Sequence, residues 1–443
     1  MQKLLSVMLA LAMCVSLFGC GASKPVETTA PAAQETNPVE TNAPAAETVE
    51  ISLWTYPIGG WGNQDTVNGL ISAFEAANPG IKVTVEYLDY TNGDDKVNTA
   101  IEGGAAPDLI MEGPERLVAN WGEKGLMVDL ADLLDDTDLA ELNPAAIKAC
   151  YATNGAVYEY PLVMTAHCMA INKTVFEAAG AMQYIDEETH TWKSAQAFLD
   201  AIQAVYDNGQ ENVLAVYCGG QGGDQGTRHL ISNIAGGTPW SNPEHTKFTV
   251  ANEANAEALA KLYAQDGVNF DASIVGGDEI NLFLQGQLAV ATCWNATLAG
   301  NNADIIAAND WELFPMAFAS DNTPVLAGGF YCLGIFDNAD DAKDEAANLF
   351  IEFIGSDEMY KEAVLAAGQW ATRDIGNIYE GDELMTTYGM FAPMFGDYYQ
   401  ITTNWTQART EWWNMLQRVM DTDGSVEAIL AEMQAAQDAS NAG

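Results

Sequence analysis

Several stretches of the chain combine aromatic rings, amides and charges in patterns that suit gripping a polar small molecule more than converting one. Thr55-Tyr56-Pro57-Ile58-Gly59-Gly60-Trp61 sets two large aromatics, Tyr56 and Trp61, among glycines that keep the backbone open. Glu112-Gly113-Pro114-Glu115-Arg116 offers acids beside a guanidinium. Charge-assisted hydrogen bonds of that kind are roughly twice as strong as neutral ones, which suits hydroxyl groups. The string Gly219–Arg228 lacks the spacing of a dinucleotide or phosphate loop, and no Lys-Ser/Thr follows it. It reads instead as a flexible ligand loop with Asp224, Gln225 and Arg228 as polar contacts. Further on, Thr402-Thr403-Asn404 offers capping side chains for a helix that places Arg409 one turn from Trp405.

Signatures of catalysis are missing from the pattern. The chain holds no Gly-x-Ser-x-Gly, no His-Glu-x-x-His and no cysteine–histidine signature. Asp135-Asp136-Thr137-Asp138 lacks the glycine and closing glutamate of a calcium loop and reads as a solvated turn. Neither a metal nor a cofactor is expected. His167 stands alone and reads as structural. A glycoside hydrolase remains the rival, needing two carboxylates about 5–10 Å apart across the bond being cut. A polyamine or phosphorylated polyol is the rival ligand class. The first would call for carboxylates against aromatic faces, the second for clustered arginines and helix N-termini.

The elements that must position these residues alternate. Val49, Ile51 and Leu53 show a strand period, and Gln64–Ala77 carries Val67, Leu70, Ile71 and Phe74 at helical spacing. Ile81–Tyr87 alternates again, a short helix spans Lys96–Ile101, and Pro107–Met111 is an apolar strand. Val213–Tyr217, Leu288–Cys293 and Phe330–Phe336 read as later strands, Ala342–Gly355 as a helix, and a last helix runs from about Asn404 to Met420. Strand–helix alternation predicts an α/β fold with mainly parallel sheets, whose ligands bind beyond the carboxyl ends of the strands.

Composition bounds the partners. With 62 acidic and 17 basic side chains the formal charge is −45; residues 1–19 hold one Lys and no acid, so without them it is −46. Such a surface repels nucleic acid and anionic lipid. Lys3, the apolar run Leu4–Met13 and Leu17-Phe18-Gly19-Cys20 read as a secretion signal ending in a lipidated cysteine, Cys20. Residues 20–47, rich in Pro, Thr, Ala and Glu without an aromatic, read as the tether that follows. The expected place is the outer face of the cell membrane, held by lipid alone. Cys150, Cys168, Cys218, Cys293 and Cys332 form no disulfide framework and suit small buried hydrophobes.

The order of several landmarks resembles the family 1 extracellular solute-binding proteins of ABC importers, the group that contains the maltose-binding protein. These are Ile51–Trp54, Phe74-Glu75…Asn78-Pro79…Ile81-Lys82-Val83, Ala106–Ile110, Tyr160-Pro161-Leu162 leading to Ile171-Asn172-Lys173, Phe283–Ala289 and Lys343–Phe353. The resemblance covers residues 48–443. Gly368-Gln369-Trp370-Ala371-Thr372-Arg373 departs from it by lacking the family's proline. The resemblance implies a two-lobed clamp, each lobe a mainly parallel sheet flanked by helices, with the ligand between them. It puts residues 48–164 and 328–374 in the N-lobe, and 165–327 and 375–443 in the C-lobe. Linkers fall near Thr165–Cys168, Leu326–Tyr331 and Thr372–Ile375. It also implies that Glu115-Arg116 grip sugar hydroxyls, that Trp294-Asn295 form a pocket wall, and that Trp405 is a sugar plate with Arg409 beside it. Thr165, at the first linker, joins these ligand candidates. The implied activity is capture of a carbohydrate by a monomer that hands it, uncut, to permease subunits.

Overall fold

Alternating burial along Val49–Thr55, with Ile51, Leu53 and Thr55 inward, makes this segment the seed of a sheet. The computed structural model describes residues 48–90, 92–134, 136–220 and 224–442. Cys20, the signal and the tether lie outside the described residues, as do Asp135, Gln221–Gly223 and the side chains of Asp136, Thr137, Asp138 and Asp224. Strands follow in the order β1 Val49–Thr55, β2 Ile81–Tyr87, β3 Leu109–Glu112, β4 Tyr160–Ala166 and β5 Cys168–Asn172. A small hairpin, β6 Ile185–Asp186 and β7 Thr191–Trp192, precedes β8 Leu214–Tyr217, β9 Val268–Asp271 and β10 Val290–Trp294. The chain then forms β11 Leu313–Met316, β12 Gly328–Ile335 and β13 Trp370–Ala371.

The larger sheet has the order β13-β4-β12-β3-β1-β2. β1 pairs in parallel with β2 and β3, as the strand–helix alternation requires. The expectation of mainly parallel sheets fails beyond this point. β12 runs antiparallel to β3 and β4, β13 antiparallel to β4, and the sheet β10-β5-β11 is antiparallel throughout. Only β8 and β9 add a further parallel pair among the described residues. The reason is connectivity: β4 runs through His167 into β5 of the second sheet, and β12 brings the chain back from β11. A strand leaving a sheet and one returning to it lie naturally head to tail. The two crossings are tied where the His167 amide donates to the Ala327 carbonyl at 2.7 Å. Gly328 sits so close to β4 that a Cβ there would lie 1.7 Å from the Thr165 oxygen. Only glycine permits that approach.

Two hydrophobic cores result, as the two-lobed reading requires. One is built around Leu53, Phe74, Trp121, Phe330 and Phe350, the other around Phe198, Phe283, Trp294, Trp412 and Met415. Helix Gln64–Ala77 begins where predicted because the Asn63 side chain accepts from the amides of Asp65 and Thr66 at 2.9 and 3.3 Å. Two helical expectations near the C-terminus are corrected. Asn404 sits at φ +64° and caps nothing with its side chain, although the helix Trp405–Val419 does start after it. That helix is not the last: Val426–Asn441 follows, capped by Ser425, with Ile429, Met433, Ala436 and Ser440 buried along one stripe. All five cysteines from Cys150 onward are buried.

Candidate functional site

The chain's predicted loops do not contribute equally. Gly59 and Gly60 do not keep the first loop open but press it onto the helix Asp357–Ala367. A Cβ at Gly59 would lie 1.8 Å from the Ala367 oxygen. Trp61 is thereby driven into the core at 0 % exposure, its Nε1 donating to the Ala363 carbonyl at 3.4 Å. It offers no face to a ligand. Tyr56 is buried too, and its hydroxyl donates to Asp94 Oδ1.

The end of β3 builds one wall. Glu112 is its last residue, and Arg116 stands four positions on, so both side chains meet on one face of the following turn. Arg116 donates from Nε to Asp94 at 2.7 Å and from Nη1 to Glu112 at 2.9 Å and Glu115 at 3.3 Å. The second Glu115 oxygen accepts from the Tyr398 hydroxyl at 2.6 Å. The Arg116 guanidinium also lies 5.2 Å from the Tyr56 ring centre and 5.6 Å from that of Tyr90. Tyr90 stacks on Tyr56 at 5.1 Å, yet is 53 % exposed, the largest exposure among the exposed large hydrophobic residues described. Burial pushes the Glu112 carboxyl up to about 8, opposed by Arg116 and assisted by Glu115 and Asp94. Burial, with Asp94 beside it, also raises the Tyr56 hydroxyl far above its usual range. Tyr90 and Asp94 fall within residues 87–94, the stretch beyond the carboxyl end of β2 where ligands of such sheets bind, and Asp94 lies in the first turn of the helix Gly93–Glu102.

The facing wall is the start of the helix Trp405–Val419. A cavity of about 470 Å³ is lined by Asp94, Glu115 and Arg116 on one side and by Thr402, Asn404, Trp405, Gln407 and Arg409 on the other. Four of the predicted residues, Glu115, Arg116, Trp405 and Arg409, thus come together. Trp405, however, is only 7 % exposed. The Arg228 guanidinium lies 4.7 Å from its ring centre and that of Arg409 5.8 Å, with Tyr399 packed edge-on at 5.5 Å. A ring so covered is a core residue that borders the cavity, not a free plate.

Arg228 and Gln225 lie on a helix, Asp224–Ile234, and not on a flexible loop. Arg228 Nε donates to the Tyr399 hydroxyl at 3.0 Å, and that oxygen stands 3.2 Å from His229 Nε2. His229 Nδ1 is 3.1 Å from the Val325 carbonyl, so the tautomer protonated at Nδ1 completes a relay from Arg228 to Val325. Burial holds His229 neutral, its pKa pushed down to about 3. Gln225 Nε2 and Cys293 Sγ stand 3.4 and 3.5 Å from His167 Nδ1.

Trp294 and Asn295 serve local structure. Trp294 is fully buried and donates to the Tyr388 hydroxyl at 2.6 Å, while Asn295 caps the helix Ala296–Asn301 through Leu298 N at 2.8 Å. Thr165 is buried within β4, away from the cavity lining. A second cavity, about 510 Å³, lies along Trp370–Tyr379. None of the candidate ligand residues lines it, and its Arg373 faces Glu141 at 3.7 Å and Asp357 at 3.4 Å. The cavity at Arg116 is therefore the better candidate site.

A family model for bacterial extracellular solute-binding proteins matches residues 69–374. No curated protein sequence matches the chain. Among solved structures, the GacH receptor of Streptomyces glaucescens GLA.O, determined unliganded and with acarbose, is similar over 89 % of this chain and 99 % of its own, at 17 % identity and TM-score 0.67. An ABC transporter solute-binding protein from Thermotoga lettingae TMO, bound with alpha-D-tagatose, covers 89 % and 100 % at 20 % identity and TM-score 0.68. The cyclic alpha-maltosyl-1,6-maltose binding protein from Arthrobacter globiformis covers 89 % and 98 % at 19 % identity and TM-score 0.67. Likeness at such identities establishes the two-lobed fold.

Proposed function

Since the chain belongs to the bacterial extracellular solute-binding protein family, we propose that the solute is a sugar or oligosaccharide, delivered intact to the permease of an ABC transporter. The observation that carries this reading is the cavity at Arg116. A guanidinium held by three carboxylates is a preorganised set of donors and acceptors, and Tyr90 adds an exposed ring. Fixed polar groups beside an aromatic face are what a polyhydroxylated ring requires. Proteins of the same fold have been solved with acarbose and with alpha-D-tagatose, which supports the same ligand class here.

In this reading residues 48–164 and 328–374 form the N-lobe, and 165–327 and 375–443 the C-lobe. The clamp acts as a monomer, held to the outer face of the membrane by a lipid on Cys20. Tyr90, Glu115, Arg116 and Arg409 are the ligand residues, with Trp405 supporting from behind. Binding proceeds without cleavage, because Asp94, Glu112 and Glu115 are all engaged by Arg116.

Titration of the purified protein against a glycan panel tests this, followed by product analysis of any glycan bound. Micromolar or tighter binding with the glycan recovered unchanged is expected. Shortened products lost on replacing one acid pair would establish a hydrolase instead. Cys20→Ser should release the protein to the medium with binding intact; a variant that stays on the membrane would place the anchor elsewhere.

A further inference from the structure

We infer that the segment 395–401 ties the two hydrophobic cores together across the cleft, and that Tyr398 within it is a positioning residue for Glu115. This rests on solute capture as the function and adds how capture is coupled to closure of the lobes.

The segment is rooted at a crossing between the sheets. Gly396 N donates to the Leu326 carbonyl at 3.0 Å, and Leu326 N to the Met394 carbonyl at 2.9 Å. A Cβ at Gly396 would lie 2.2 Å from Val325 Cγ1, so this approach requires glycine. From there two neighbouring side chains go to opposite cores. Tyr398 is buried in the first, its ring 5.2 Å from that of Phe330. Tyr399 is buried in the second, where Arg228 donates to its hydroxyl at 3.0 Å. Neither ring can follow its own core away from the other without moving its neighbour.

Asp397, one residue earlier, adds a polar clasp. Its Oδ1 accepts from Lys148 Nζ at 2.6 Å, and its Oδ2 lies 2.7 Å from His245 Nε2. Lys148 is carried by the helix Pro144–Cys150, whose Ala146, Ala149 and Cys150 belong to the first core. His245 falls between Trp240 and Phe248 of the second. Its backbone is held at φ +53°, a left-handed conformation that is costly for a residue bearing a Cβ, and its carbonyl accepts from Thr403 N at 3.0 Å. Burial works to raise the Asp397 carboxyl, yet His245 and Lys148 hold it below the usual carboxylate range. One carboxylate thus joins a cation from one core to an imidazole from the other.

Tyr398 carries the tie to the candidate site. Its hydroxyl donates to Glu115 Oε2 at 2.6 Å, while Glu115 Oε1 accepts from Arg116 at 3.3 Å. Glu115 and Arg116 line the cavity, and Tyr398 does not. A solute that reaches Glu115 therefore meets a carboxylate whose direction is set from the segment behind it. Separating the lobes must break this hydrogen bond or draw the Tyr398 ring out of the first core. Solute held at Glu115 and closure of the lobes thus favour one another.

Small-angle scattering of the full chain without solute, and calorimetry with acarbose and maltotriose as probes, test this on Lys148→Met, Asp397→Asn and Tyr398→Phe. Asp397→Asn should enlarge the radius of gyration of the empty protein, and adding Lys148→Met should enlarge it no further, because both remove one clasp. Tyr398→Phe keeps the ring and should weaken the bound glycan about tenfold, the scale of a lost hydrogen bond to a charged group. In a Glu115→Ala background Tyr398→Phe should change affinity no further. An equal loss with and without Glu115 would show that the tyrosine acts through packing, and overturns its positioning role. Scattering unchanged in both Asp397→Asn and Tyr398→Phe overturns the tie and leaves solute capture standing. Failure of both glycans to bind counts against carbohydrate capture and the positioning role, and scattering then decides the tie. Should Tyr398→Phe fail to fold, Lys148→Met and Asp397→Asn decide, since their side chains are 48 and 44 % exposed.

Discussion

Each wall of the cleft sets an arginine against aromatic rings, and the two are used differently. Arg116 stays at the cavity edge, gripped by Asp94, Glu112 and Glu115. Arg228 has gone inside: it packs on Trp405 and begins a relay through Tyr399 and His229 to a backbone carbonyl. The same residue pairing, arginine with aromatic, thus borders a cavity on one side and is a structural brace on the other. What separates them is burial of the ring. Tyr90 is half open, whereas Trp405 is enclosed by Tyr399, Phe248 and the guanidinium.

The largest effect expected on this contrast comes from Trp405→Ala. Removing a large buried ring from the second core should cost about 3–5 kcal/mol of stability, read as a fall in unfolding midpoint in denaturant. A variant that keeps its stability and loses only affinity would restore Trp405 as a plate. Next comes Arg116→Met, which leaves three carboxylates facing one another. A loss of about 3 kcal/mol is expected at pH 8, since an uncompensated buried charge is costly, and a smaller loss at pH 5, where acids can take up protons. Ligand binding should fall with it, by at least a hundredfold in Kd.

A smaller effect is the pH profile of the unaltered protein. Glu112 and Glu279 are both pushed up to about 8 by burial, from an ordinary 4.5. Their contribution to stability is complete below 4.5 and is lost as pH rises through 8. His229, held down at about 3 from an ordinary 6.5, works the other way, its contribution being lost as pH falls below 6.5. Glu159 is likewise pushed well up by burial, so three carboxyls outweigh one imidazole and the melting temperature should peak at about pH 4–4.5, where the opposing slopes balance. Glu112→Gln should flatten the alkaline side; a maximum at pH 8 would contradict the burial of these groups. The smallest change is Tyr90→Ala. Loss of one exposed stacking face should weaken binding by about 1 kcal/mol with melting unchanged, and no change in affinity would move the plate elsewhere on the wall.

Sequence periodicity alone determined the elements that carry their own local signal. The strands Val49–Thr55 and Ile81–Tyr87 and the helix Gln64–Ala77 appear where alternation and helical spacing put them. The place of Glu115-Arg116 just after β3 was legible from the strand pattern, whereas their pairing as ligand candidates came from the family resemblance. Tertiary structure decided what local pattern does not encode. Whether an aromatic is a plate or a core residue depends on what lies across from it. Trp61 faces Ala363, Trp294 faces Tyr388 and Trp405 faces Arg228, partners 302, 94 and 177 positions away in the chain. The same holds for the sheets. β4 and β12 are antiparallel because the chain leaves one lobe and returns, a property of the whole path and of no single segment. Glu112 is the sharpest case: its type and position can be read from the sequence, but the burial that pushes its carboxyl up to about 8 exists only once the surrounding residues have closed over it.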